Sequence, residues 1–249
     1  MIELQNITKK FGDITALDNV SLTVKKGRSM ALLGATAAGK SVMLKLIAGL
    51  YAPEQGQFYI DGAQQGVVDD RSETMNLRIG MLFQHNALFD SLTVWENIAF
   101  RLMQNGLSRQ AGRARAIELL QQVGLAKENA DLFPADLSGG MQKRVGFARA
   151  IATDADILLL DNPTAGLDPI LAARIDRMIS KMARDRGATV ISVTSNMVGL
   201  YDAYDDVAVM DRGKLHWFGT SEQARMDPNP YLRQIIEGHR EGPIKVMAS

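Results

Sequence analysis

The eight residues "GATAAGKS", 34 to 41, constrain this chain more than any other stretch. They match the pattern G-x-x-x-x-G-K-[ST], follow the apolar run "SMALL", and lead into Met43, Leu44, Ile47 and Leu50 at helical spacing. A strand that turns through such a loop into a helix aims the helix's first amide groups at one point, where an anion can sit. Gly34 and Gly39 let the backbone wrap a polyphosphate, with Ala35, Thr36, Ala37 and Ala38 forming the wall of the cradle. Lys40 reaches the β- and γ-phosphates, Ser41 ligates Mg²⁺, and Val42 completes the first turn. A polyphosphate and Mg²⁺ are the expected ligands.

The surrounding pattern is that of an α/β chain. "IELQNIT", "ALDNVSLTV", "SMALLG" and "GQFYIDG" read as short strands, and "RIGMLFQ" (78–84) as another. From about 86 to 155 the strands stop. "VWENIAFRLMQ" and "SRQAGRARAIELLQQVGL" are amphipathic helices inserted into the α/β order. "ADILLLD" and "ATVISVT" are buried strands, separated by a helix from Pro169 with Leu171, Ile175, Met178 and Met182 on one face. "DDVAVMD" and "KLHWFG" form a terminal strand pair, followed by helices near 221–226 and 229–237 and a tail, "EGPIKVMAS". With no repeat or linker, all 249 residues are expected to form one domain, with a C-terminal extension over about 229–249.

Composition narrows the functions open to it. Lys plus Arg equals Asp plus Glu at 28 each, so no long-range field recruits nucleic acid. There are no cysteines, which excludes disulfides and thiolate metal sites. The start, "MIELQNITKKFG", lacks a signal-peptide layout, and no run approaches the roughly 18 to 20 apolar residues that span a bilayer. A soluble, cytoplasmic chain is expected.

Two further stretches join the loop. "ADILLLD" ends in Asp161, placed as a second Mg²⁺ anchor. In "DLSGGMQKR", Ser138 contributes a hydroxyl and Gly139 and Gly140 expose amides at a helix start. Lying between the phosphate loop and Asp161, this LSGG closely resembles the signature motif of ABC-type ATPases, and the resemblance covers nearly the whole chain. It implies a P-loop NTPase core of the ABC ATPase type, with a β-rich N-terminal part and an inserted helical subdomain. It also implies that Phe11 stacks on adenine, that Gln84 in "MLFQ" senses Mg²⁺ and the γ-phosphate, and that "AGLD" (165–168) is the D-loop. In such proteins two domains clamp ATP head to tail, one protomer's phosphate loop facing the other's Ser138, Gly139 and Gly140. A second copy of this chain is the simplest partner.

The resemblance breaks at the chemistry. The family carries a Glu after the strand-end Asp and a His in the switch loop; this chain has Asn162 and Ser195. Asparagine accepts a hydrogen bond from water but cannot take its proton near neutral pH. Losing a general base costs about 10²- to 10⁴-fold in rate, roughly 3 to 5 kcal/mol of barrier. Tight ATP binding with slow turnover is expected, whether the origin is a naturally slow ATPase, a degenerate site beside a competent one, or substitutions that trap the dimer. A non-hydrolytic module whose ATP-driven dimerisation is the output is the competing class. The three histidines, His85, His216 and His239, have no acid or metal-spaced partner in the pattern and are expected at the surface.

"GKSVMLK", "MLFQHNALFDSLTVWENIAF", "LSGGMQKRVGFARAIA" and "EGPI" resemble the ATPase subunits of Mla-type phospholipid transporters. That resemblance implies integral-membrane permease subunits, an MCE-domain lipid-binding protein, and a place on the cytoplasmic face of the inner membrane held through the permease. The groove for the permease's coupling helix is expected to use Phe89, Leu92, Trp95 and Phe100. The helix bearing Tyr231, Leu232, Ile235 and Ile236 is expected to pack on a second protomer or a regulatory partner.

Overall fold

The computed structural model describes residues 1–65 and 79–245. Its centre is a six-stranded sheet built from β3 (Ser29–Gly34), β6 (Ile79–Leu82), β7 (Ile157–Asp161), β8 (Thr189–Val193), β9 (Asp206–Asp211) and β10 (Lys214–Thr220). Their spatial order is β10-β9-β3-β8-β7-β6; all neighbours are parallel except the β9–β10 pair. A second, antiparallel sheet of order β2-β1-β4-β5 comes from the N-terminal part: β1 (Ile2–Phe11), β2 (Ile14–Val24), β4 (Gln55–Ile60) and β5 (Ala63–Gln64).

Strand periodicity distributes the core. In β7, every residue of Ile-Leu-Leu-Leu-Asp is buried, as a strand covered on both faces requires. Successive side chains point to opposite faces, so Leu158 and Leu160 enter one core while Ile157 and Leu159 enter the other. Ala31 and Leu33 of β3 divide from Met30 and Leu32 in the same way. The second core lies between the two sheets and takes Met43, Leu44, Leu46 and Ile47 of α1 (Lys40–Ile47). The first takes residues from several helices, among them α2 (Val94–Gln104), α3 (Arg109–Gln122), α4 (Gly139–Ile151) and α5 (Pro169–Arg186). Each fully buried Leu or Ile stabilises by roughly 1.5 to 3 kcal/mol, and α1 is therefore held rigidly behind its loop.

Helix ends follow their capping residues. Ser138 Oγ accepts from the Met141 amide at 3.3 Å and starts α4. Asp168 accepts from Ile170 and Leu171, both at 3.0 Å, with Pro169 in the first turn of α5; Gly187 at φ 68° ends that helix. The expected helix to Leu50 stops at Ile47, and the expected strand 78–84 is Ile79–Leu82, with Gln84 in a turn and Arg78 outside the described residues. Not foreseen were α6 (Leu200–Ala203) and the short 3₁₀ turns Lys127–Asp131 and Pro134–Asp136, which are too brief to carry a hydrophobic period.

After α7 (Ser221–Met226), α8 (Pro230–Glu237) corrects an expectation. Leu232 is fully buried in the chain's own core, and Tyr231, Ile235 and Ile236 pack partly buried against it. Gln234 then clamps the segment beyond the helix, donating to the Ile244 carbonyl at 2.9 Å and accepting from its amide at 2.8 Å. Of the face foreseen as a partner surface, Leu232 is spent on the chain's own core while Tyr231, Ile235 and Ile236 remain half-buried at its edge; residues 246–249 lie outside the described residues. No helix among the described residues is long and apolar enough to cross a membrane.

Candidate functional site

Loop 34–41 links β3 to α1, and both glycines are dictated by close contacts. A Cβ on Gly34 (φ 154°) would meet the Met210 carbonyl oxygen at 2.2 Å; one on Gly39 (φ 96°) would meet that of Ala16 at 2.3 Å. Ala37 also takes a left-handed backbone, φ 63°. The helices after Ser138, Asp168 and Thr220 begin with a side-chain oxygen bound to an amide, whereas α1 has no side-chain cap. Its first-turn amides are therefore aimed at the loop's interior with no acceptor supplied by a cap. Lys40 Nζ folds over the loop, donating to the carbonyls of Gly34 at 2.8 Å and Ala35 at 2.6 Å. Burial lowers its pKa, and the nearby Asp161 carboxylate opposes that shift.

A cavity of about 500 Å³ opens above the loop. Ala37, Ala38, Gly39, Lys40, Ser41 and Val42 line it, together with Gln84, Ile14, Ala16 and Arg212. The structure thus brings Ser41 and Gln84 to one space, although nothing in their sequence separation requires it. Phe11 stays outside the lining; it is exposed at the end of β1, edge-on to Tyr51 with ring centroids 5.2 Å apart. Among the described residues no three His, Cys, Asp or Glu cluster as a metal cage. A hard divalent ion held by side-chain oxygens and substrate phosphates needs none; Ser41 and Gln84, which share the cavity, carry oxygens of the kind Mg²⁺ takes, whereas Asp161 is not among the cavity's lining residues.

Asp161, 2% exposed, ends β7, and the next residue turns away sharply. Asn162 has φ 53°, a left-handed conformation that Asn adopts more readily than most residues. Its amide donates to Val193 O at 3.0 Å, tying the ends of β7 and β8 together, and its Nδ2 comes within 3.5 Å of Asp161 Oδ1. Ser195 is exposed just beyond β8. Its neighbour Asn196 donates through Nδ2 to Asp176 Oδ2 at 3.0 Å and accepts from the Val198 amide at 3.1 Å.

Asp176 went unnoticed in the sequence, though an acid beside Ile175 on the face shared with Ala172 and Ile179 was a usable signal. It is 7% exposed and its Oδ1 has no hydrogen-bond partner. Burial raises its pKa from 3.8 to about 6, the Asn196 hydrogen bond opposing. The folded chain holds this proton to about pH 6 and the unfolded chain releases it near 3.8. Stability therefore declines as pH rises across that window, with up to about 3 kcal/mol forfeited above it. Asp176→Asn is expected to stabilise the chain by about 1 to 3 kcal/mol at pH 8 and hardly at all at pH 4, read by thermal denaturation at both. Equal shifts at the two pH values would contradict the assignment.

Ser138 and Gly139, by contrast, are exposed and line no part of the loop 34–41 cavity. Lys143, from the same helix, donates to the Ala165 carbonyl at 2.8 Å and so ties α4 to the segment 165–168; burial lowers its pKa and Asp161 opposes. Gly140 faces that segment too, its Cβ position 3.4 Å from Leu167.

A second groove, about 590 Å³, runs between β6, α2 and α4, lined by Leu50, Phe83, Phe89, Phe100, Arg101 and Arg149 among others. Phe89 and Phe100 meet at 4.7 Å. Two of the expected groove residues do not belong. Trp95 is 5% exposed because it packs into the core, with Arg109 over its ring, and Leu92 lies half-buried off the lining. The histidines also differ in detail. His216 stacks on Tyr231 at 3.8 Å, His239 Nε2 lies 3.2 Å from Glu237, and His85 is exposed in the turn after Gln84.

Residues 17–165 match the family model described as ABC transporter. The methionine import ATP-binding protein MetN of Carboxydothermus hydrogenoformans is 38% identical over 240 residues, covering 94% of this chain and 71% of the relative. The probable ribonucleotide transport ATP-binding protein mkl of Mycobacterium leprae is 36% identical over 247 residues, or 98% of this chain and 68% of the relative. Among solved structures, the dimeric ATP-binding cassette MJ0796, in a post-hydrolysis state bound to ADP and Pi, aligns with a TM-score of 0.82. It is 32% identical, covering 89% of this chain and 99% of that one.

Proposed function

The chain belongs to the ABC transporter family, as an ATP-binding subunit, and from that premise we propose that it binds ATP between two copies of itself and drives a membrane permease by closing the dimer. The observation that carries this reading is a separation. An uncapped helix start with Lys40 and Ser41 lines one cavity, while Ser138 and Gly139 lie exposed elsewhere on the same chain. On this reading a triphosphate held by the first meets the second from another copy, the head-to-tail arrangement already implied by the motifs. The dimeric state of MJ0796 supports it.

Loop amides and Lys40 would hold the β- and γ-phosphates, with Phe11 against the base. Ser41, Asp161 and Gln84 would hold Mg²⁺, which when bound neutralises phosphate charge. Asn162 would orient a water without accepting its proton, and Ser195 would offer the γ-phosphate a hydroxyl in place of a cation. Turnover is therefore slow and the closed dimer long-lived. The left-handed backbone at Asn162 suits asparagine and disfavours the larger acid, which also supports the alternative that closure itself is the output.

The permease would dock in the groove of Phe89 and Phe100, holding the chain at the cytoplasmic face of the inner membrane. For cargo, the reading is phospholipid, with an MCE-domain protein as a further partner, resting on the stretches around Val42 and Met141. Relatives at similar identity have names with different cargoes, methionine and ribonucleotide, so similarity at this level does not select among them. Phospholipid co-purifying with the permease complex, and lipid but not methionine stimulating its ATPase, is the expected outcome. Stimulation by methionine alone would overturn the cargo assignment.

A further inference from the structure

Strand order fixes which way a triphosphate lies. Across the edge where the parallel strands end, the sequence of strands is β9, β3, β8, β7. Asp161 ends β7, Ser195 follows β8, and loop 34–41 follows β3. The metal and γ-phosphate end therefore points toward β8 and β7. The α-phosphate and nucleoside must point the other way, toward β9 and the start of β2, whose Ile14, Thr15 and Ala16 line the same cavity.

β9 delivers one cation to that side. It runs parallel to β3, with Met210 in register with Gly34, and two residues later Arg212 lines the cavity. Arg212 and Lys40 are the only cationic side chains among the cavity's lining residues. The turn that carries Arg212 is pinned at the next residue. Gly213 donates to the Ala38 carbonyl at 3.1 Å, and its own carbonyl accepts from the Asp18 amide at 2.9 Å. Arg212 itself holds a left-handed backbone, φ 46°. Its guanidinium is largely exposed, and among the described residues its one charge partner is Asp211, at 4.0 Å. That distance is too long for a hydrogen bond, so its donors remain available.

From this geometry we infer that Arg212 is a nucleotide-binding residue whose guanidinium pairs with the α-phosphate of the nucleotide held by loop 34–41. The inference rests on the proposed ATP site and adds to it a second charge at the nucleoside end. Because the α-phosphate is common to ATP and ADP, Arg212 would contribute equally to both, and so would set how firmly nucleotide is held before and after hydrolysis.

The test is direct titration of the full chain with ATP and with ADP, at about 0.05 M and about 0.5 M salt. Arg212→Asn suits it, since asparagine tolerates the left-handed backbone and the turn should survive. At low salt, Kd is expected to rise about three- to tenfold for both nucleotides, shrinking to under about twofold at high salt. Arg212→Lys should keep most of the affinity. An unchanged Kd at low salt, an effect on ATP alone, or a loss insensitive to salt would overturn the inference. Lys40→Ala in the same titration reads the premise separately. If that variant binds normally the ATP site itself is misplaced, whereas if it fails while Arg212→Asn binds normally only the Arg212 assignment falls.

Discussion

Asn162→Glu combined with Ser195→His is expected to raise ATP turnover at least about tenfold, measured as steady-state phosphate release. The pair restores what the site lacks, a carboxylate that can take a proton and a side chain that can become cationic beside the γ-phosphate. A general base is worth about 10²- to 10⁴-fold, and the gain should fall short of that range's upper end. At φ 53°, Asn162 occupies a conformation that costs a larger residue roughly 1 to 2 kcal/mol. That strain would either displace the new carboxylate or weaken the bond from the residue 162 amide to Val193 O. Ser195→His has no such obstacle, since residue 195 is exposed and the loop beyond it is anchored through Asn196 and Asp176. A rate unchanged in a folded, ATP-binding double variant would mean that water activation does not limit turnover here.

Lys40→Ala should have the other large effect, weakening ATP binding by about 30- to 100-fold, or roughly 2 to 3 kcal/mol. Lys40 is the one cation inside the loop, and its ammonium already spans the Gly34 and Ala35 carbonyls. A phosphate would find that ammonium already positioned over the loop. Burial lowers the Lys40 pKa while Asp161 opposes, so a bound triphosphate would hold the ammonium charged. Titration with a fluorescent ATP analogue measures the loss; affinity within about threefold of the parent chain would contradict it. The fold should tolerate the change, because α1 is secured by Met43, Leu44, Leu46 and Ile47 rather than by Lys40.

How much of this was legible in the sequence depended on whether a feature is local. Loop 34–41 between strand and helix, β7 ending in Asp161 and the helix start at Gly139 are each written in contiguous residues and fold as read, but that Ser138 Oγ accepts from its own helix's Met141 amide was not foreseen. Asp161 and Asn162 were recognisable as a pair, but the left-handed turn between strand and loop was not, since Asn-Pro is compatible with several turns. What needed three dimensions was strand order. Nothing between residues 41 and 206 says that β9 returns beside β3, so Arg212 could not be assigned to the cavity. Trp95 was misread for the opposite reason. An aromatic near a helix start serves a core or a groove equally well in a periodicity argument, and only the packing of α2 decided for the core. On α8 the same ambiguity resolved for one residue, Leu232, which is spent on the chain's own core.

Sedimentation of the purified chain with Mg²⁺ and ATP tests the central claim most directly. The account predicts that ATP converts monomer to a dimer that outlasts dilution, while Gly139→Asp binds ATP and stays monomeric. A Cβ on Gly139 meets nothing within 4 Å in its own chain, so the substitution fits the fold and places a carboxylate where a partner's triphosphate would lie. A chain that binds ATP yet remains monomeric, or a Gly139→Asp variant that dimerises as the parent does, would contradict the sandwich.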